Sequence, residues 1–226
     1  MGRWMRRCGW TLIGMGSFVL YFLVYQLVGT GTAAATAQSD LRQNLERQWA
    51  SAPSTPAAAS TAKPPPPRRT APGQAFALIK IPKIDVEHVL VEGVEREQLR
   101  KGPGHVPSTV MPGQPGTFGV SGHRTTYGAP FFRLNELSSG DRIQIVTQAA
   151  AVYTYTVTRT RIVLPTDVWV LDNVRGHDGS VKPTITLTTC HPRYSAKQRL
   201  IVFGDLASAS RRGAATAARR RASPVG

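Results

Sequence analysis

The sequence predicts an all-β domain, a barrel or a sandwich, with short helices at most, carried behind one membrane-spanning helix. Three observations lead there. Residues 76–206 hold several short runs of β-branched and aliphatic residues separated by Gly/Pro turns, the pattern of a sheet protein. Within residues 152–163, Tyr153, Tyr155 and Val157 alternate with Thr154, Thr156 and Thr158, the period of two that a sheet with unlike faces imposes. Residues 10–28 contain only Thr11, Ser17 and Gln26 as clearly polar members and no charge. At about 1.5 Å per residue that stretch is long enough to cross a hydrocarbon core of about 30 Å.

Arg3, Arg6 and Arg7 precede the apolar stretch, so residues 1–9 are expected in the cytoplasm, with the chain beyond residue 30 outside. Trp4, Trp10, Tyr21 and Tyr25 suit the interfacial belt. Ala35-Thr36-Ala37 offers a rival reading as a signal-peptide cleavage site, but a signal core runs only about 7–15 residues. The length favours an uncleaved anchor over residues 10–29. Cys8, at the inner face, has the position of an acylation site, although a bystander thiol is the plainer reading. In residues 40–49, Leu41, Leu45 and Trp49 recur every four positions on one helical face. Such a helix rests on the membrane surface or extends the span. Residues 51–74, with Pro64-Pro65-Pro66-Pro67, read as an extended, semi-rigid linker, which completes a juxtamembrane region over residues 30–75.

From residue 76 the strands follow in turn. Ala77-Leu78-Ile79-Lys80-Ile81-Pro82 and residues 86–91 are strand-like, split by Lys83-Ile84-Asp85. Residues 95–101 make a helical turn or two, halted by Gly102-Pro103-Gly104. Residues 117–121, 142–147 and 152–163 are strands. So are residues 184–190, whose Thr and Ile suit a pleated, half-buried surface. The last strand covers residues 199–205, with Leu200 and Val202 on one side and Ile201 and Phe203 on the other. This domain, residues 76–206, is large enough to hold its own core. Residues 207–226, small and Arg-rich, read as a disordered tail.

The net charge of +15 invites a nucleic-acid reading, and its distribution argues against one. Residues 76–206 carry 15 Lys/Arg against 11 Asp/Glu, the first 75 residues eight against two, and the last 20 five against none. Most of the excess lies on the appendages, where it attracts anions without specificity. The two cysteines, Cys8 and Cys190, are too few and too far apart for a disulfide framework or a metal knuckle.

Cys190 ends its strand just before His191 and Pro192. A thiol in an apolar strand is most often inert core; at a strand end it can also be a reactive atom on a rigid mount. His123 sits at the matching end of another strand, after Gly122, where glycine lets the chain turn sharply. A lone His after a glycine is most often a surface residue. A thiol and an imidazole at two strand ends are also the pair that nucleophilic catalysis needs: one attacks, the other protonates the leaving amine. Four other histidines compete. If the strand persists, His191 points to the face opposite Cys190. His105, in a Gly/Pro turn, reads as structural, and His88 and His177 as solvated. Arg199 is the candidate for stabilising charge on a carbonyl oxygen, against the plain reading of an edge-strand charge, with Arg193 as its substitute.

Together, Thr186-Leu187-Thr188-Thr189-Cys190, the upstream Gly122-His123-Arg124 and Arg199 opening the last strand resemble a sortase. The likeness covers residues 76–206. His123-Arg124-Thr125-Thr126-Tyr127-Gly128-Ala129-Pro130-Phe131 and Cys190-His191-Pro192 are most similar to the class E branch of high-GC Gram-positive bacteria. The resemblance implies a closed eight-stranded β-barrel and a transpeptidase that cleaves a Leu-Ala-x-Thr-Gly signal between Thr and Gly. It implies a thioester on Cys190, His123 as acid and later base, and Arg199 holding substrate and oxyanion. The implied partners are secreted proteins bearing the signal, and an amine of a cell-wall precursor or a pilin lysine. The implied place is the cell membrane, single-pass, with the catalytic domain outside.

Thr125 and Tyr127, on the loop after His123, are expected to line the substrate groove, and Thr189 to orient the oxyanion through its backbone. A tyrosine packed beneath its own loop is the plainer alternative for Tyr127. Asp167, Asp172 and Asp178 are too loosely spaced for a hard-cation site, so no metal or cofactor is expected. Two other readings compete: a membrane-tethered binding module with a structural Cys190, and an L,D-transpeptidase. The chain lacks the Ser-His-Gly-Cys pattern of the latter.

Overall fold

The computed structural model describes residues 2–51, 67, 69–147 and 151–211. Eight strands close a barrel: β1 (Ala75–Ile81), β2 (Val86–Glu92), β3 (Gly104–His105), β4 (Gly116–Ser121), β5 (Arg142–Thr147), β6 (Ala151–Val163), β7 (Pro183–His191) and β8 (Gln198–Arg211). The order around the barrel is β1-β2-β3-β4-β7-β8-β6-β5, with β5 returning to β1. The neighbours β2–β3 and β4–β7 run parallel, and the others antiparallel.

The interior obeys the alternation in the sequence. Tyr153, Tyr155 and Val157 of β6 point inward with Ile185 and Leu187 of β7, Leu200 and Val202 of β8, and Phe118 and Val120 of β4. Burying each such side chain stabilises the fold by about 1.5–3 kcal/mol. The two-residue β3 escaped prediction because its pairing depends on β2 and β4, not on its own composition. His105 in it is structural: its Nδ1 lies 2.9 Å from Glu92 Oε2 and its Nε2 3.0 Å from Thr109 Oγ1, fully buried against the Phe118 ring.

The N-terminal region differs from the segmented expectation. One continuous helix, α1 (Gly2–Ala50), spans 49 residues. Ala, Gln, Leu and Arg after residue 32 are strong helix formers, and Pro53 lies just past its end. Residues 40–49 are the last turns of α1, so of the two expected arrangements they continue the N-terminal helix and do not form a separate membrane-surface one. They lie on the barrel, where Leu45 is 1% exposed among Ala75, Leu78, Val89 and Val146, with Leu41 and Trp49 beside it. This contact explains why β1 is apolar on both faces: Ile79 and Ile81 fill the barrel, while Leu78 fills the seam beneath α1. Among the described residues no helix is long and apolar enough to cross a membrane. The side chains of residues 24 and 26–29, inside the expected 10–29 span, fall outside the described ones.

The other end also differs. β8 continues to Arg211 and pairs with β6 as far as Ala151, so residues 207–211, expected in the tail, are sheet. Residues 212–226 and linker residues 52–66 lie outside the described residues. A second short helix, α2 (Arg96–Lys101), ends at Gly102, as its turn residues suggested.

Candidate active site

The outer face of β4, β7 and β8 carries the candidate chemistry. Ile185 and Leu187 face the core, so Thr184, Thr186, Thr188 and Cys190 alternate outward. On β8 the same alternation sends Arg199, Ile201 and Phe203 outward. Cys190 and Arg199 are direct cross-strand partners, which puts their side chains on one face as near neighbours. Cys190 is half-buried and therefore reachable from solvent. Arg199 is half-buried too; its Nη1 donates to the carbonyls of Ala196 (2.9 Å) and Gln198 (3.1 Å).

His123 arrives from β4. The β4–β7 ladder ends at the pair Ser121–Thr188, and two bonds carry the pairing further. Gly122 N–H donates to the Thr188 carbonyl at 3.1 Å, and Thr189 Oγ1 donates to the Gly122 carbonyl at 2.8 Å. Continued by two residues, this register sets His123 level with Cys190. Thr189 itself is buried; its hydroxyl ties the two strand ends together, a role apart from the backbone one expected of it. The glycine at 122 is required by a neighbour and not by a turn: a Cβ there would lie 2.7 Å from the Phe131 ring.

The loop that follows is closed by Phe131 N–H donating to the His123 carbonyl at 3.1 Å. Tyr127, Gly128 and Ala129 are all left-handed, with φ of 51°, 75° and 45°. For Tyr and Ala that conformation carries strain, a feature that concentrates at functional loops. The Tyr127 ring lies 4.9 Å from the His123 ring, and the Arg100 guanidinium 5.5 Å from the centre of the Tyr127 ring. Burial, and secondarily Arg100, hold the His123 imidazole below its usual 6.5. Its Nε2 is buried with no hydrogen-bond partner among the described residues. An imidazole with an unpartnered nitrogen, at a strand end neighbouring that of a thiol, has the chemistry to relay a proton between sulfur and a leaving amine.

Sequence reasoning placed the remaining candidates unevenly. Thr125 is half-buried on the same loop as His123. β7 persists through His191, so His191 turns from Cys190 toward Arg124. Arg193, named as the substitute for Arg199, lies with its guanidinium 4.1 Å from the centre of the Phe132 ring. His177 is exposed. His88, expected to be solvated, is half-buried instead, and burial lowers its pKa.

Three features escaped the sequence. Arg124 is 4% exposed and donates to the Cys190 carbonyl. Ile201, Val163, Val170 and Phe203 form a small buried apolar cluster outside the barrel interior, pinned there by Thr186 Oγ1 donating to the Val170 carbonyl at 3.1 Å. The alternation of Arg199, Ile201 and Phe203 was the available signal for that cluster. A cavity of about 490 Å³ lies between α1 and the Tyr127 loop, lined by Ala34, Gln38, Arg42, His88, Tyr127 and Pro130 among others. Nothing local in the sequence joins those elements. Among the described residues, no group of three His, Cys, Asp or Glu side chains gathers as a metal site.

A thiol and a guanidinium paired across two strands, with an imidazole at the neighbouring strand end of a closed eight-stranded barrel, agree with the family comparison. The sortase domain model matches residues 79–207. The chain belongs to the sortase family. It is 34% identical over 210 residues to sortase SrtE1 of Streptomyces coelicolor, covering 89% of this chain and 56% of that protein. It is 35% identical over 135 residues to sortase D of Bacillus subtilis, covering 58% and 64%. The chain thus spans less than two thirds of the length of these two curated relatives. Among solved structures, sortase E1 of Streptomyces coelicolor with a tripeptide in the active site matches with a TM-score of 0.57 at 34% identity. That match covers 69% of this chain and 98% of the other. The likeness is to class E sortases in particular.

Proposed function

We propose that this sortase is a class E-type cysteine transpeptidase, in which Cys190 is the nucleophile, His123 the acid and base, and Arg199 the oxyanion partner. The observation that carries the reading is the cross-strand pairing of Cys190 with Arg199, with His123 following the end of β4, the strand that pairs with β7 on its other side. The Cys190 thiolate adds to the Thr carbonyl of a Leu-Ala-x-Thr-Gly signal, and negative charge moves to the carbonyl oxygen. Arg199 offsets that charge. The C–N bond to Gly breaks, the departing amine takes a proton from His123, and a thioester remains. An acceptor amine then gives its proton back to His123, attacks the thioester and expels the thiolate. A wall-precursor amine and a pilin lysine both fit this step. Tyr127 and Thr125 border the groove, with the Thr189 backbone beside the oxyanion.

We also place the chain at the cell membrane, with its N-terminus inside and the barrel outside. Support comes from α1, whose Trp10, Leu12, Ile13, Phe18, Leu20 and Tyr21 are at least 60% exposed. So much uncovered apolar surface calls for a lipid or protein partner.

The test incubates the full chain, in detergent, with a Leu-Ala-x-Thr-Gly peptide and an amine, and follows it by mass spectrometry. An acyl adduct on Cys190 and a Thr–amine product are expected, and neither with Cys190→Ala. Turnover by Cys190→Ala would refute the assignment.

A further inference from the structure

Arg124 follows His123 directly, yet its side chain goes the other way, under the site, where it is 4% exposed. Its Nη1 donates to the Cys190 carbonyl at 3.1 Å and lies 3.0 Å from His191 Nδ1. Its Nη2 donates to Asn135 Oδ1 at 2.8 Å, an oxygen that also accepts from Arg193 Nη2 at 3.2 Å. One guanidinium therefore joins the loop after β4, the turn at Asn135 and the end of β7. Among the described residues no carboxylate pairs with it, and its Nε is buried without a partner.

A buried cation without a counter-charge is destabilising, so its retention here needs a reason. The negative charge within its reach is the one that forms on Cys190. Burial, and secondarily Arg193, lower the Arg124 pKa, while the charge of Cys190 raises it. A guanidinium can only donate, so in this contact His191 Nδ1 is the acceptor.

We propose that Arg124 is a positioning residue for the transpeptidation: it clamps the main chain of Cys190 and supplies a buried positive charge opposite the thiolate. Arg199 and Arg124 then bracket Cys190, one from the neighbouring strand and one from beneath. This rests on the cysteine chemistry proposed above.

The experiment uses the full chain with Cys8→Ser, so that Cys190 is the one thiol, and compares Arg124→Gln with Arg124→Lys. The readouts are kcat and KM for the signal peptide, the Tm, and the pH at which iodoacetamide begins to alkylate Cys190. The charged and titratable groups around that sulfur are His123, Arg124, His191, Arg193 and Arg199. Arg124→Gln is expected to lower kcat about tenfold or more with KM within about twofold, and to move alkylation to higher pH. Arg124→Lys should restore the alkylation profile in part but not kcat, since an ammonium cannot reproduce the planar fork. A kcat for Arg124→Gln near the parent value, or an unmoved alkylation profile, overturns the proposal. If Arg124→Gln does not fold, Asn135→Leu decides: it frees one end of the clamp, and an unchanged kcat overturns the proposal. Activity of Cys190→Ala would instead refute the underlying cysteine chemistry.

Discussion

Gln38 of α1 and Val89 of β2 bind each other twice: Val89 N–H donates to Gln38 Oε1 at 2.7 Å, and Gln38 Nε2 donates to the Val89 carbonyl at 3.2 Å. A side-chain amide thus caps a strand as another strand would, and it donates as well to the Lys101 carbonyl at 2.7 Å. Gly102 leaves the room, since a Cβ there would collide with the Gln38 amide. Residues 34–49 consequently pack and hydrogen-bond as part of the barrel unit.

Removal of that contact should be visible in stability. Gln38→Ala leaves strand polar groups without partners and is expected to cost about 1–3 kcal/mol. Leu45→Ala opens a cavity in the seam and is expected to cost about 2–4 kcal/mol. Denaturant unfolding measures both. A chain starting at residue 76 should melt well below one starting at residue 31, and equal Tm values would count against the seam.

Arg100 and His123 couple through charge. Arg100 disfavours the imidazolium, so Arg100→Gln should raise the His123 pKa, modestly because the arginine is exposed. In a thiol–imidazole pair the acid limb of the rate profile follows the histidine. That limb should move to higher pH, and the plateau rate should rise, because a larger fraction holds thiolate beside imidazolium. An NMR titration of His123 measures the shift directly.

Thr189 ties β7 to the strand that delivers His123. Thr189→Val keeps the shape and removes the hydroxyl bond to the Gly122 carbonyl. A loss of about 1–2 kcal/mol in stability is expected, with a fall in kcat larger than any change in KM. Equal kcat would mean that the strand ends hold their spacing without it.

Acid should weaken the fold in a defined window. Burial holds both His88 and His123 below 6.5. As pH falls through 6.5 the unfolded chain takes up protons first, so stability present above 6.5 declines until the folded-state values are passed. Tm measured between pH 7.5 and 5 should drop, and His88→Gln should flatten part of the drop. A flat parent curve would contradict the burial of these rings.

Much of the barrel was legible because its strands alternate. Tyr153, Tyr155 and Val157 mark one inward face, and residues 142–147 form β5 over the expected span. Cys190, His123 and Arg199 were legible as strand-end residues of the right chemical kinds. Arg124 was not, since its burial depends on Asn135 and His191, which approach from elsewhere in the chain. The partner of α1 was hidden for a related reason: the Leu41, Leu45 and Trp49 stripe shows that an apolar face exists but not what covers it.

Sequence alone determined the periods of two and 3.6, the turns, and which side chains could attack, protonate or carry charge, for these are properties of residues and their near neighbours. Tertiary structure decided that Cys190 faces Arg199, that His191 faces away, and that α1 seals the outer side of β1 and β2. Register between distant strands and the partner of an apolar stripe are set by which surfaces pack together, and that choice is made by the whole chain at once.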